Sequence, residues 1–178
     1  MDSNCDEQDI FHIFNLIGRH TELKPILDII SQWLESRIPD AFVTIMLYKE
    51  DTQTLSFISG KQHFSKEYCS AIQDLKIGPD QGTCGTAAFL RQLVISPHLM
   101  KDPNWRSYRA LINAEKLSSC WSTPIISASD VLYGTFATYY RTPKIPTESH
   151  IRLLQQAANL VALAIELDHE RQKGQAIN

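Results

Sequence analysis

Cys84 is the residue of this chain best placed to do chemistry. It stands between Gly82 and Gly85, in Gly82-Thr83-Cys84-Gly85-Thr86-Ala87-Ala88, where a loop gives way to a helix. Glycines let a backbone turn sharply and approach a ligand closely. A helix start exposes unpaired N–H groups and partial positive charge, which favour an anion and would lower the pKa of a thiol there. Cys84 is therefore either a reactive thiol in a ligand-contacting loop or a small buried hydrophobe beside a tight turn. A second group is Trp105, Tyr108 and Arg109. The two aromatics, one helical turn apart, could stack on a ring ligand while the arginine clamps an anion. The same spacing also describes an amphipathic helix with aromatics inward and Arg106 and Arg109 in solvent. The glycines match no Walker or dinucleotide pattern.

The remaining candidates are sparse. Cys5, Cys69, Cys84 and Cys120 form no Cys-x-x-Cys pair, which argues against a disulfide framework or a structural zinc site. The six histidines are scattered, with no His-x-x-x-His pair. The 178 residues carry a formal charge of -3 and are 43% hydrophobic and 21% charged, ordinary values for one globular domain. That balance gives no electrostatic case for nucleic acid or an anionic membrane. No apolar run reaches bilayer-spanning length, and the acidic start Met1-Asp2-Ser3-Asn4-Cys5-Asp6-Glu7 does not read as a signal peptide. A cytoplasmic protein is expected.

The elements that must position these residues follow from periodicity. Ile10, Ile13, Phe14 and Ile17 mark a first helix stopped at Gly18. Thr21 can cap a second helix that Pro39 ends. Ala41 to Tyr48 and Thr54 to Ser59 read as a hairpin of strands. Ser65 to Leu75 reads as a short helix, 78 to 82 as a loop, Gly85 to Arg91 as a helix and Leu93 to Ser96 as a short strand. Asn104 to Glu115 reads as one helix with Trp105, Tyr108, Leu111 and Ile112 on one face; Asp102 and Pro103 cap it. Ser118 to Ile126 and Val131 to Tyr140 are paired strands, and Thr147 caps a last helix of about six turns. This order indicates an α+β domain on an antiparallel sheet. Strand alternation puts Cys120 and Ser122 on one face and Trp121 and Thr123 on the other. It separates Thr135, Ala137 and Tyr139 from Phe136, Thr138 and Tyr140 in the same way.

Taken together with Asp102-Pro103-Asn104-Trp105, Ser119-Cys120-Trp121-Ser122-Thr123-Pro124-Ile125 and Leu132-Tyr133-Gly134-Thr135-Phe136-Ala137-Thr138-Tyr139-Tyr140-Arg141, the Cys84 segment resembles the core of bacterial GAF domains. More narrowly, it is similar to those in front of cyclic-di-GMP cyclases and phosphodiesterases and of sensor histidine kinases. The resemblance is specific from about Gly78 to Glu166. It implies a GAF fold: five or six antiparallel strands, helices on both faces, and terminal helices packed together. It also implies a cytoplasmic, small-molecule-sensing module of a signalling protein, rather than an enzyme. Its pocket floor would be Cys120, Ser122, Ala137 and Tyr139, and its lid the segment with Trp105, Tyr108 and Arg109, with Cys84 in the contacting loop. Such a floor suits a neutral or aromatic ligand, or simply makes room for helix packing. The resemblance names no ligand and no cofactor, although His98 could in principle act as a haem axial ligand, as in some GAF sensors.

Three other readings stay open. The free methionine-(R)-sulfoxide reductases share the fold and a similar Cys84 segment. However, Asn113 and Val94 stand near the positions of their other cysteines, and Cys120, Ala137 and Tyr139 replace their pocket carboxylates, so that chemistry is not expected. A thiol redox sensor would use Cys84 and Cys120, if the sulfurs are close. A ligand-free dimerisation scaffold needs no pocket. The expected organisation is a dimerisation helix over 1–20, a GAF domain over 21–167, and from 168 a linker to an output domain beyond this chain. The last helix carries two apolar seams, Ile151, Leu154, Ala158, Val161, Ile165 and Leu153, Ala157, Leu160, Ala164, Leu167. One seam would cover the core, and the other is expected to join two copies in a homodimer.

Overall fold

Six antiparallel strands form one curled sheet in the order β3-β2-β1-β6-β5-β4. The strands are β1 (Phe42–Lys49), β2 (Thr54–Ser59), β3 (Leu75–Lys76), β4 (Val94–Ser96), β5 (Ser119–Ile126) and β6 (Leu132–Tyr140). The computed structural model describes residues 3–19 and 22–176. The cap expected at Thr21 lies outside them.

Strand alternation sorts the core into two layers. Val43, Ile45, Trp121, Ile125, Phe136 and Tyr140 point to one face, where α1 (Ser3–Gly18), α2 (Leu23–Glu35) and α6 (Glu148–Ala176) cover them. Met46, Leu55, Phe57, Cys120, Ala137 and Tyr139 point to the other face. There they meet α3 (Lys66–Ala71), α4 (Gly82–Leu90), a 3₁₀ turn over Pro103–Tyr108 and α5 (Arg109–Ala114). Fold class and face assignments thus agree with the sequence reading, with helices on both faces and the terminal helices together. The Arg171 guanidinium reaches the Ile17 carbonyl at 3.4 Å.

Four element assignments differ from expectation. The helix expected through Leu75 stops at Ala71, because Asp74 takes a left-handed backbone (φ 55°) and Leu75 then pairs with Leu55 on the sheet edge. The helix with Cys84 starts at Gly82, three residues early, which moves Cys84 from the loop junction into the first turn. The helix expected over 104–115 is a 3₁₀ turn followed by α5, separated by the non-helical backbone of Tyr108 (φ -111°, ψ 7°). The last helix has 29 residues, about eight turns rather than six. Its polar end continues helical, with Asp168 accepting from Gln172 and Glu170 paired with Lys173.

The two seams of α6 are used differently from the expectation. Leu154, Ala158, Val161 and Ile165 are buried, but so are Ala157, Leu160 and Ala164 of the second seam. α1 and α2 of the same chain cover both. The apolar surface left free on this layer is Phe11 (70% exposed), Phe14 (47%) and Leu167 (39%).

Candidate functional site

The site lies on the α4 side of the sheet, between β5 and β6 below and the 3₁₀ turn above. Its floor is set by register: Cys120 pairs with Tyr139, and Ser122 with Ala137. All four are buried. α4 lies across them, and its first turn brings the Cys84 sulfur to 3.4 Å from the Tyr139 hydroxyl. The Cys120 thiol is within hydrogen-bonding reach of the same sulfur.

The lid is tied down by a directional hydrogen-bond chain. The Trp105 indole N–H donates to Thr83 Oγ1 at 2.8 Å, and Thr83 donates to Ser96 Oγ at 2.9 Å. Ser96 in turn donates to the Asp102 carboxylate. The other oxygen of Asp102 caps the 3₁₀ turn through the Asn104 N–H at 2.9 Å. The chain closes a loop from lid to α4 to β4 and back to lid. Outside it, the Tyr108 hydroxyl donates to Gln81 Oε1 at 2.8 Å. The Trp105 ring stands edge-on to both Tyr108 and Tyr139, with centroids at 6.0 and 6.3 Å. Phe64 stacks on Tyr68 and meets Tyr139 edge-on, which closes the far side.

Between lid and floor the remaining void is about 10 Å³, lined by Ile72, Leu75, Gly82, Cys84, Trp105 and Tyr139, with Gln81 and Tyr108 at its mouth. That is room for about one water molecule. The ligand cavity expected from the sequence is therefore closed in this conformation: side chains fill the sheet face. The glycines likewise serve packing. Gly82 (φ +62°) lies under the Trp105 ring, where a Cβ would stand 3.4 Å from the indole. At Gly85 a Cβ would stand 2.6 Å from the Lys76 carbonyl oxygen.

Electrostatics separate the two thiols. The hydrogen bond from Cys120 does most to lower the Cys84 pKa, to about 7 from the usual 9.0, against the opposing effect of burial. Tyr139, Ser122 and Thr135 add to the lowering. The Ser122 and Thr135 hydroxyls have no other partner among the described residues. A helix start is in any case a favourable place for a thiolate. Burial, and then the Cys84 charge, push Cys120 well above its ordinary value. Burial also raises Tyr68 and Tyr139.

Of the residues proposed from sequence, Cys84, Trp105, Tyr108 and Tyr139 line the void. Cys120, Ser122 and Ala137 are packed beneath it. Arg109 is exposed at the start of α5 and lines no part of it. His98 is exposed on the loop after β4, away from the void. Among the described residues no group of three or more His, Cys, Asp or Glu could hold a metal ion. Gln81, Thr83 and Thr135 were not singled out from sequence as site residues. Alternation from Ala137 would have found Thr135, but the link from Thr83 through Ser96 to Asp102 has no local signal.

The model of the GAF domain matches residues 20–166, most of the chain. The chain belongs to the GAF domain family. It is 28% identical over 154 residues to the methyl sulfide methyltransferase-associated sensor of Methanosarcina acetivorans. That match covers 86% of this chain but only 15% of the relative. Solved GAF structures have the same fold. A domain assigned to a two-component sensor histidine kinase from Sinorhizobium meliloti 1021 superposes with a TM-score of 0.71 at 16% identity, covering 87% of this chain and 99% of that one. The free methionine-R-sulfoxide reductase from Neisseria meningitidis, in complex with its substrate, superposes at 0.68 and 15% identity, covering 89% and 87%. At these identities the likeness concerns the fold. As for membranes, none of the helices among the described residues is long and apolar enough to cross one.

Proposed function

We propose that this GAF domain is the sensory module of a cytoplasmic signalling protein, and that it regulates an output domain joined beyond α6. The observation that carries this reading is the double use of β5 and β6. Their Cys120, Ser122, Ala137 and Tyr139 face the site, while Trp121 and Tyr140 face α6. Trp121 stacks on His150 of α6 at 5.6 Å. A displacement of the floor is therefore felt by the helix that leaves the domain. A signalling role is supported by the sensor relative and the histidine kinase domain. A histidine kinase or a cyclic-di-GMP cyclase or phosphodiesterase is the proposed class of output.

In this reading the structure is the closed state, and a ligand larger than water enters by parting Tyr108 from Gln81 and lifting Trp105. The apolar, aromatic lining favours a small neutral or aromatic molecule. A thermal-shift screen of such molecules tests it. At a hundredfold excess over Kd a ligand adds about 2.7 kcal/mol, or roughly 5–10 °C for a domain of this size. The expected hit loses its effect in Ala137→Phe, which fills the floor. A hit that acts equally on both proteins would place binding elsewhere.

The closed void also favours a second reading, a scaffold that dimerises without a ligand. Both readings use the α1–α6 layer. Phe11 and Phe14 beside Leu167 form the proposed seam of a homodimer, and a groove of about 520 Å³ runs between Ile10, Phe14, Leu160 and Leu163. Wild type should sediment as a dimer at high micromolar concentration, and Phe11→Asp with Phe14→Asp as a monomer. A wild-type monomer at every concentration refutes the seam. Reductase activity is not proposed, since Asn113 and Val94 stand near the positions of the second and third cysteines.

A further inference from the structure

The Cys84–Cys120 couple is more than a ligand-pocket floor. Cys84 sits in the first turn of a nine-residue helix, with its sulfur touching the Tyr139 hydroxyl. Cys120 lies directly across the β5–β6 ladder from that tyrosine, on the same face. Two buried hydroxyls without other partners among the described residues, Ser122 and Thr135, flank the Cys84 sulfur. So one sulfur is ringed by O–H and S–H donors, as an anion would require. The second sulfur is its immediate neighbour. The void reaching Cys84 admits a water-sized molecule at its mouth between Gln81 and Tyr108.

We infer that Cys84 and Cys120 form a reversible dithiol switch, in which Cys84 is the attacking thiolate, Cys120 the resolving thiol, and a small hydroperoxide the oxidant. The inference rests on the sensory reading of the same site and supplies its chemical input. In the first step the Cys84 thiolate attacks one peroxide oxygen. The S–O bond forms as the O–O bond breaks, and the departing alkoxide or hydroxide takes a proton from water. Cys84 becomes a sulfenic acid, oxidised by two electrons. In the second step the Cys120 sulfur attacks Cys84, the S–S bond forms, and the S–O bond breaks. Hydroxide leaves and takes up the Cys120 proton as water. The sum is two thiols and one hydroperoxide to one disulfide, one alcohol (or water) and one water. A dithiol reductant reverses it by exchange. The bridge would tie the first turn of α4 to β5, the strand whose other face carries Trp121 against α6.

The division of roles has a direct electrostatic cause. Cys84 loses its proton at about 7, whereas Cys120 keeps its proton far above that. Cys69, half-buried on α3, has a pKa raised by burial and serves as an internal comparison. At neutral pH Cys84 should react at least about tenfold faster than Cys69, after allowing for the lower nucleophilicity of a more acidic thiol.

The test is to treat the reduced 178-residue chain with hydrogen peroxide, alkylate the remaining thiols, and map them by mass spectrometry. The expected product is a Cys84–Cys120 linked peptide that a dithiol reverses. Its rate should rise with pH to half its maximum near 7, and should fall at least about tenfold when tert-butyl hydroperoxide replaces hydrogen peroxide at the narrow mouth. In Cys120→Ser, a 1,3-dione reagent should capture a sulfenic acid at Cys84. Oxidation of Cys69 before or together with Cys84 overturns the inference, as does a wild-type chain in which Cys84 and Cys120 stay alkylatable. The wild-type chain alone separates these outcomes, so a variant that fails to fold does not obscure them. A ligand response that survives alongside inert thiols would remove the switch and leave the sensory reading. A disulfide that forms in a chain with no ligand response would do the reverse.

Discussion

Gly134→Ala should be among the most damaging single substitutions in this domain. Gly134 lies in β6 opposite Leu47 of β1, where the central strands of the sheet come closest. An added Cβ would stand 1.9 Å from the Met46 carbonyl oxygen and 3.0 Å from its carbon. Both are backbone atoms, so no side-chain rotation relieves the clash. Either the β1–β6 ladder opens or β6 shifts, and β6 carries half of the site floor. The expected cost is about 3 kcal/mol or more, a fall in Tm of roughly 6–12 °C. A variant melting within about 2 °C of wild type would show that the sheet gives way here.

Trp105→Ala should have a comparable cost for a different reason. The indole is buried, packs over Gly82, and donates the first hydrogen bond of the chain that ends at Asp102. Its removal takes away apolar packing and leaves Thr83 Oγ1 without its donor. The expected loss is about 3–5 kcal/mol. The cavity left behind would be apolar and lie under the lid, so millimolar indole should restore part of the lost Tm. Trp105→Phe keeps most of the packing and should cost less than half as much. An alanine variant with near-wild-type Tm would mean that Trp105 does not close the site. Indole stabilising wild type and variant alike would mean that it binds elsewhere.

Much of this architecture was readable from single residues. Strand alternation placed Cys120 and Trp121 on opposite faces of β5, and the pleat kept them there. The positions of Cys84, Trp105, Tyr108 and Tyr139 around one void followed the family resemblance. Two things were not readable. The first is volume: whether a sheet face is open or filled depends on how far Trp105 settles onto Gly82, which is a packing result with no periodicity. The second is what covers a helix. The second seam of α6 has the pattern of an interface, yet α1 and α2 bury Ala157, Leu160 and Ala164 within the chain. A seam shows that something must cover it, and only the tertiary fold shows what. Arg109 illustrates a third limit. One residue beyond Tyr108 the 3₁₀ turn gives way to α5, and the change of pitch leaves the side chain in solvent, away from the void.

The central claim is that events under the Trp105 lid reach α6 through β5. Fluorine NMR of the chain labelled with fluorotryptophan tests it directly, because the three tryptophans report from three places. Trp105 is the lid, Trp121 is the contact between β5 and His150 of α6, and Trp33 lies in α2, within the helical layer and outside the void. Single Trp→Phe variants assign the resonances. On adding a molecule that raises Tm, the account predicts that the Trp105 and Trp121 resonances shift together in proportion to occupancy, while the Trp33 resonance stays in place. A stabilising molecule that moves Trp33 and leaves Trp105 unshifted would contradict the site, and one that moves Trp105 without Trp121 would contradict the route to α6.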